Sequence, residues 1–201
     1  MTMIDLPRER AHALLEAAMQ RAGLLADPIP EPDVASVARW IDGFLDAFAN
    51  LPTLDAALNE VRALRAEAVV IPALDLERLR NRQVLFFLDA VGQYVADQPE
   101  LRGLPLEHDL PEIAKEFRLR ASDAFEAVRV ALTAAHDGPP LELLFPLLGH
   151  DRIMMRIGAV NSHLLHGRGL EPIRHGPGGA PFRTLGPAEE GPATGTESDG
   201  S

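Results

Sequence analysis

The chain has 201 residues, of which 46% are hydrophobic and 24% charged, so it is long enough to bury a core and we expect it to fold. The absence of cysteine excludes disulfides, thiolate nucleophiles and cysteine-based metal sites. A formal net charge of -11 argues against indiscriminate binding to DNA or anionic membranes, because such binding depends on an excess of Lys and Arg. With no apolar run of membrane-spanning length, the sequence favours a cytoplasmic protein.

Apolar residues before residue 167 recur every three or four positions, and no stretch alternates as a strand would. The sequence therefore predicts an all-α fold. A first helix is expected over residues 7–25, ending at the proline-rich segment DPIPEP, and a second over residues 33–50. Thr53 is the expected N-cap of a third helix. The apolar side chains on the buried face of that helix are Leu54, Leu58, Val61 and Leu64.

Five further helices are expected along the chain. The first covers residues 75–96, and the next covers residues 111–117. Asp123, with a glutamate three residues later, has the pattern of a capping box that would begin another helix. The last two helices are expected over residues 141–148 and 151–165. The buried stripe of the 75–96 helix is expected to comprise Leu76, Leu79, Phe87, Val91 and Tyr94.

Glycine and proline interrupt the helical pattern at residues 101–109, where we place a boundary between two helical subdomains, residues 1–100 and 101–168. Beyond them, residues 169–201 are rich in Gly, Pro, Ser, Thr and Glu and lack periodic apolar residues, which predicts a disordered tail. The expected architecture is a two-part helical bundle followed by that tail.

Three sequence elements follow one another near the end of the helical pattern: VRVALT, the loop AAHDGPP, and LLGHDRIMMRI after a leucine-rich helix. In this order they resemble the C-terminal anticodon-binding region of bacterial glutamyl-tRNA synthetases, which are class I synthetases. The helices over residues 33–94 resemble the upstream part of the same region by pattern alone. Where the family commonly has glycine after ALT, and then the lysine and glutamate of LGKE, this chain has Ala134, His150 and Asp151.

The resemblance implies a helical cage over residues 1–168, which in the family clasps the anticodon loop of glutamate or glutamine tRNA. No HIGH-like or KMSKS-like signature occurs in the sequence, and nothing before Asp33 could form a nucleotide-binding fold. By resemblance the chain is therefore not an enzyme on its own, and neither a cofactor nor a metal ion is predicted. The expected partner is such a tRNA, or a synthetase or amidotransferase protein that acts on it.

The segment 133–141, here named the connector, is the candidate base-recognition element. Gly138 permits unusual backbone angles, and Pro139 and Pro140 form a rigid apolar edge on which an unstacked base could pack. His136 could add stacking or a hydrogen bond. The alternative is an ordinary link in which proline begins the next helix. The candidate RNA-binding residues of the connector are Thr133, His136, Gly138, Pro139, Pro140 and Leu141.

Arginines near the connector are the candidate phosphate contacts. Arg129, Arg152 and Arg156 match arginines of the family pattern, and the last two lie one helical turn apart, so they could clamp the anticodon backbone. The alternative is that these arginines pair with carboxylates and hold the helices together. The carboxylates in question are Asp123, Glu126 and Asp151.

A second basic cluster lies in the segment RLRNRQ, where Arg78 and Arg82 are candidate RNA contacts. A solvated helix face is the commoner meaning of such a cluster. Phe86 and Phe87 follow it and are expected in the core, as adjacent aromatics on an amphipathic helix usually are.

Two function classes remain open from the sequence. The first is a tRNA-binding module that recognises the anticodon loop. The second is a non-catalytic protein-interaction or regulatory paralogue that has lost RNA binding, which the acidic balance and His150 in place of lysine favour. A third, smaller alternative is a split synthetase whose catalytic half is a separate chain.

Overall fold

The structure, a computed structural model, describes residues 6–166, and this part of the chain is helical throughout, with no strand. The predicted all-α fold is therefore confirmed, whereas the predicted disordered tail, residues 169–201, lies outside the described residues. A short 3-10 turn, Glu31–Asp33, precedes the second α-helix. The α-helices of the described residues are α1 (Arg8–Arg21), α2 (Val34–Ala47), α3 (Leu54–Arg65), α4 (Ala73–Leu79), α5 (Arg82–Ala96), α6 (Leu106–Glu116), α7 (Ala121–Thr133) and α8 (Leu141–His166).

All of these helices contribute to one continuous hydrophobic core. α8 packs against α2, α5 and α7 and is therefore the central element. The large apolar side chains of the core are fully buried, and each stabilises the fold by about 1.5–3 kcal/mol relative to an exposed one. The core includes side chains from both sides of residue 100, and the predicted division into two subdomains stays a prediction. None of the described helices has the length and apolar character needed to cross a membrane.

Side-chain caps set the starts of α3 and α5. Thr53 Oγ1 accepts a hydrogen bond from the N–H of Ala56 (3.1 Å), so the predicted N-cap is confirmed. Asn81 Oδ1 accepts from the N–H of Gln83 (2.9 Å) and caps α5 in the same way. The prediction of one unbroken helix over residues 75–96 is therefore wrong, because Asn81 has extended backbone angles and separates α4 from α5.

α6 and α7 begin earlier in the chain than predicted. α6 begins at Leu106 and continues through Pro111, whose ring nitrogen cannot donate the helical hydrogen bond. α7 begins at Ala121, and the predicted capping box is wrong, because no side chain caps this helix. Asp123 instead accepts two hydrogen bonds from the guanidinium of Arg120, at 2.8 and 2.9 Å.

α8 is interrupted at Gly149, whose φ of 75° and ψ of 164° form a combination that essentially only glycine adopts. This break separates the last two predicted helices. Beside it, Trp40 donates from Nε1 to the carbonyl of Leu147 (2.9 Å), and His150 donates from Nε2 to the carbonyl of Gln98 (2.8 Å). These two bonds hold the kink against α2 and against the end of α5.

Candidate functional site

The connector begins where α7 ends, and its first residue outside that helix has an unusual backbone. Ala134 is left-handed, with φ of 56° and ψ of 21°. This conformation costs an L-residue about 1–2 kcal/mol and glycine almost nothing. Thr133 Oγ1 donates to the carbonyl of Arg129 (2.8 Å) and accepts from the N–H of Ala135 (3.3 Å). The chain therefore carries alanine at a place where the backbone favours glycine.

Arg129 supports the second half of the connector. Its Nη1 donates to the carbonyl of Pro139 (2.7 Å), and a Cβ atom at Gly138 would lie 3.3 Å from the same nitrogen. Gly138 also has a φ of 147°, so both its backbone and the space around it favour glycine. Arg129 thus holds the connector in place, and its role as a phosphate contact stays a prediction.

His136 ties the connector to two helices. Its Nδ1 lies 3.0 Å from Glu126 Oε1 on α7, and its Nε2 lies 3.1 Å from Oδ1 of the buried Asp75 on α4. Arg78 joins the same cluster, with Nη1 at 3.5 Å from Asp75 and 3.8 Å from Glu126. Two of the predicted RNA contacts are therefore brought together, but both face carboxylates. Within residues 6–166, no three His, Asp or Glu side chains are placed to share a metal ion.

Arg156 is only 2% exposed, and its guanidinium serves the ends of two helices. Nη1 donates to the carbonyl of Leu132 in α7 (2.5 Å). Burial in the first place, and the nearby Arg152 in the second, lower the pKa of Arg156 to about 10, so it remains charged at neutral pH. Nη2 donates to carbonyls at the end of α3, which are those of Ala63 (2.8 Å), Leu64 (3.1 Å) and Ala66 (2.6 Å).

The alternative in which the three family-pattern arginines hold the helices together by pairing with carboxylates is wrong in its partners. All three donate to main-chain carbonyls instead, and Arg152 bonds to those of Arg65 (3.3 Å) and Leu148 (3.4 Å). For Arg152 and Arg156 the physical reason is that the last carbonyls of a helix lack partners within it and attract cationic donors, whereas Arg129 bonds to a carbonyl of the connector. Since Arg156 is buried, the clamp predicted for Arg152 and Arg156 does not form on the surface.

The predicted apolar edge of the connector is only partly exposed. Pro140 is exposed and Pro139 half-buried, whereas Leu141 is 1% exposed because it begins α8 on the side that faces the core. Leu141 is therefore not available to a ligand in this structure. Beneath the connector lies a cavity of about 190 Å³. Its lining includes Phe48, Leu64, Leu144, Thr133, Arg129 and Arg156.

Arg82 is not joined to the connector by any described hydrogen bond or ion pair. Its guanidinium carbon lies 5.2 Å from the centre of the Phe86 ring on the same helix. Phe86 is 50% exposed and Phe87 fully buried, so the prediction that both lie in the core is wrong for Phe86. Neighbouring residues on a helix point about 100° apart, so only one of such a pair can face the core squarely.

Comparison with known proteins finds relatives among tRNA ligases. The glutamate–tRNA ligase of Desulfitobacterium hafniense (strain Y51) is 26% identical over 168 residues, which cover 79% of this chain and 34% of that protein. The glutamate–tRNA ligase of Alkaliphilus metalliredigens (strain QYMF) is 39% identical over 134 residues, which cover 66% of this chain and 23% of that protein. No protein-family model matches the chain. The chain is thus homologous to glutamate–tRNA ligases over about two thirds of its length. It spans about a third of the length of the first relative and about a quarter of the length of the second.

Proposed function

We propose that this chain is a tRNA-binding module related to the anticodon-binding region of glutamyl-tRNA synthetase, and that it recognises the anticodon loop of glutamate or glutamine tRNA. The observation that carries this proposal is the homology to glutamate–tRNA ligases in a chain whose described part is all-helical. Amino-acid activation by the chain alone is not part of the proposal, since no strand of a nucleotide-binding fold occurs in residues 6–166.

The connector is the proposed recognition element because it is both exposed and fixed. Arg129 holds its second half through Pro139, and His136 holds its middle between α4 and α7. Single-stranded RNA bases are recognised by stacking and by hydrogen bonds to their edges, and a fixed loop offers both with little loss of entropy on binding. Pro140 provides the exposed apolar surface for such a contact.

The charge distribution limits the strength of the proposed binding. The net charge is -11, and Arg78, Arg129 and Arg156 are already engaged by carboxylates or carbonyls. We therefore expect only two or three phosphate contacts, and a slope of log affinity against log salt of roughly -1.5 to -2, from about -0.7 per phosphate of a single strand.

The test is a mobility-shift titration with total tRNA at two salt concentrations, followed by sequencing of the bound RNA. Pro140→Glu places a negative charge on the exposed edge and should weaken binding at least about tenfold. Pro7→Glu is the matched control, because Pro7 is also exposed and its carbonyl also accepts hydrogen bonds from the first N–H groups of a helix. That helix is α1, so the control changes the same charge away from the connector. Binding no tighter than roughly 100 μM would refute the proposal.

A second candidate is a non-catalytic protein-interaction or regulatory paralogue that has lost RNA binding. The observation that favours it is the engagement of most predicted RNA-binding arginines inside the fold. It predicts a stable complex with a synthetase or amidotransferase protein and no preference among tRNAs. Sedimentation of the chain mixed with a purified full-length glutamate–tRNA ligase tests the first half of that prediction.

A further inference from the structure

A larger cavity, of about 520 Å³, lies between α2, the turn at residues 99–103 and the first half of α8. We name it the α2–α8 cavity. Its volume is within the range of small-molecule sites, which combine apolar walls with a few polar groups. Glu142 lines both this cavity and a neighbouring cleft that includes Pro140 of the connector.

Trp40 gives the α2–α8 cavity a fixed aromatic wall. Its indole nitrogen is used by the hydrogen bond to Leu147, and its ring stacks on Phe44 with 5.6 Å between ring centres and 19° between planes. The ring is half-buried and lines the cavity. With its polar atom satisfied, Trp40 offers a ligand only aromatic surface, on which flat rings such as nucleobases stack.

Two arginines on the rim of the α2–α8 cavity have guanidinium nitrogens to spare. Arg39 uses only Nε, which donates to the carbonyl of Ala35 (3.3 Å) on its own helix. Arg102 is exposed and, in the part of the chain that the structure describes, neither arginine has an ion pair. The nearby Asp46 is paired with Arg8 at 2.5 Å, and its pKa is lowered mainly by that hydrogen bond and, to a smaller extent, by the charge of Arg102. Asp46, Glu100 and Glu142 line the same cavity, so the two guanidiniums, and not the net charge of the lining, are what would bind an anion such as phosphate.

Glu142 also lines the cavity, but its Oε1 atom is shielded from solvent and has no hydrogen-bond partner among the described residues. An atom that water cannot reach in an open cavity is equally out of reach of a ligand there, so this oxygen is not a contact for the ligand.

We propose that the α2–α8 cavity binds one nucleotide, with its base against Trp40 and its phosphate on Arg39 and Arg102. The two observations name two parts of one ligand: a flat ring and an anion. The nucleotide is either a free mononucleotide or one residue of an RNA strand. The RNA source rests on the proposed function, whereas the free source does not.

Trp40 is the only tryptophan of the chain, so its fluorescence reports on this cavity without a label. The purified full chain is titrated with CMP, AMP and GMP, with the parent nucleosides, and with tRNA, and free tryptophan amide corrects for absorption by the ligand. We expect saturable quenching by the mononucleotides and weaker quenching by the nucleosides. Arg39→Ala or Arg102→Ala should weaken the binding of the mononucleotides about tenfold, as for loss of one hydrogen bond from a charged group. Arg21→Ala is the matched control, because its Nε bonds to Ala17 four residues earlier in the way that Arg39 bonds to Ala35.

The outcomes separate this proposal from the proposed function. Quenching by mononucleotides that the two arginine variants weaken and Arg21→Ala does not supports the site, whether or not tRNA binds. Binding of tRNA in a mobility shift without any change in Trp40 fluorescence overturns the nucleotide site and leaves the proposed function standing. Equal quenching of the wild type and both arginine variants overturns the site as well, since the phosphate contact is then absent.

Discussion

Replacing Arg156 with methionine is expected to destabilise the fold by about 3–5 kcal/mol, because main-chain carbonyls at two helix ends lose their charged donor. The guanidinium donates to one carbonyl of α7 and to three at the end of α3. A hydrogen bond from a charged donor contributes about 1.5–3 kcal/mol, but three of these bonds share Nη2, which has only two hydrogens. Burial of the charge, which lowers the pKa of Arg156 to about 10, offsets part of the gain.

The free energy of unfolding is measured by urea titration with far-ultraviolet circular dichroism as the signal. Arg152→Met is the matched control, because Arg152 lies one turn away on α8 and also donates to carbonyls, but at 3.3 and 3.4 Å from a partly exposed position. Its loss should stay below about 1 kcal/mol. Equal losses for the two variants, or a loss below about 1 kcal/mol for Arg156→Met, would refute the structural role of Arg156.

Three further predictions concern single positions. Gly149→Ala should destabilise the fold by about 1–3 kcal/mol, because only glycine adopts the backbone angles of this residue easily. Gly158→Ala should stabilise the fold by about 0.8–1 kcal/mol, because Gly158 lies in the regular part of α8 with open space around it. Changes of the same sign for both variants in urea titration would contradict the kink. Ala134→Gly should relieve the left-handed strain and gain up to about 1 kcal/mol, seen as a higher Tm, and a lower Tm would contradict it. Tyr94→Phe should flatten the pH dependence of stability. Tyr94 donates a hydrogen bond to Asp109 (2.6 Å), and this bond lowers the pKa of Asp109. Burial, and to a smaller extent the same bond, raise the pKa of Tyr94. The wild type should therefore lose stability as the pH rises above 10.0 and as it falls below 3.8, and urea midpoints across pH should show smaller losses in the variant.

The sequence predicted those elements of the fold that depend on a local signal, such as apolar spacing, a cap residue or a glycine at a break. The threefold and fourfold apolar spacing predicted helices throughout, Thr53 predicted a cap, and the break before His150 coincides with a glycine. The break at Asn81 was missed because Leu79 and Val84 on either side are both buried and keep the apolar pattern running. Asn81 is itself a good N-cap residue, which was the available signal.

The roles of the arginines could not be predicted from spacing. Arg152 and Arg156 share a face of α8, yet only Arg156 lies where the last carbonyls of α3 and α7 converge. That convergence joins residues about ninety positions apart, so no local pattern carries it. The same holds for His136, whose partner Asp75 lies 61 residues away. His136 lies in an exposed loop, and that loop is fixed by contacts that only the folded chain reveals.

The acidic character of the chain bears on how it would select RNA. Phosphate contacts supply most of the sequence-independent affinity for nucleic acid. Here most of the predicted RNA-binding arginines are engaged within the fold, and the chain carries a net charge of -11. Any affinity for tRNA must then come mainly from base contacts and shape, which are the terms that distinguish one RNA from another. Pro140 of the connector and Glu142 of the α2–α8 cavity line one cleft at the start of α8. The connector and the α2–α8 cavity are therefore neighbours at the start of α8, and if one RNA loop contacts both, weakening either contact should reduce selectivity as well as affinity.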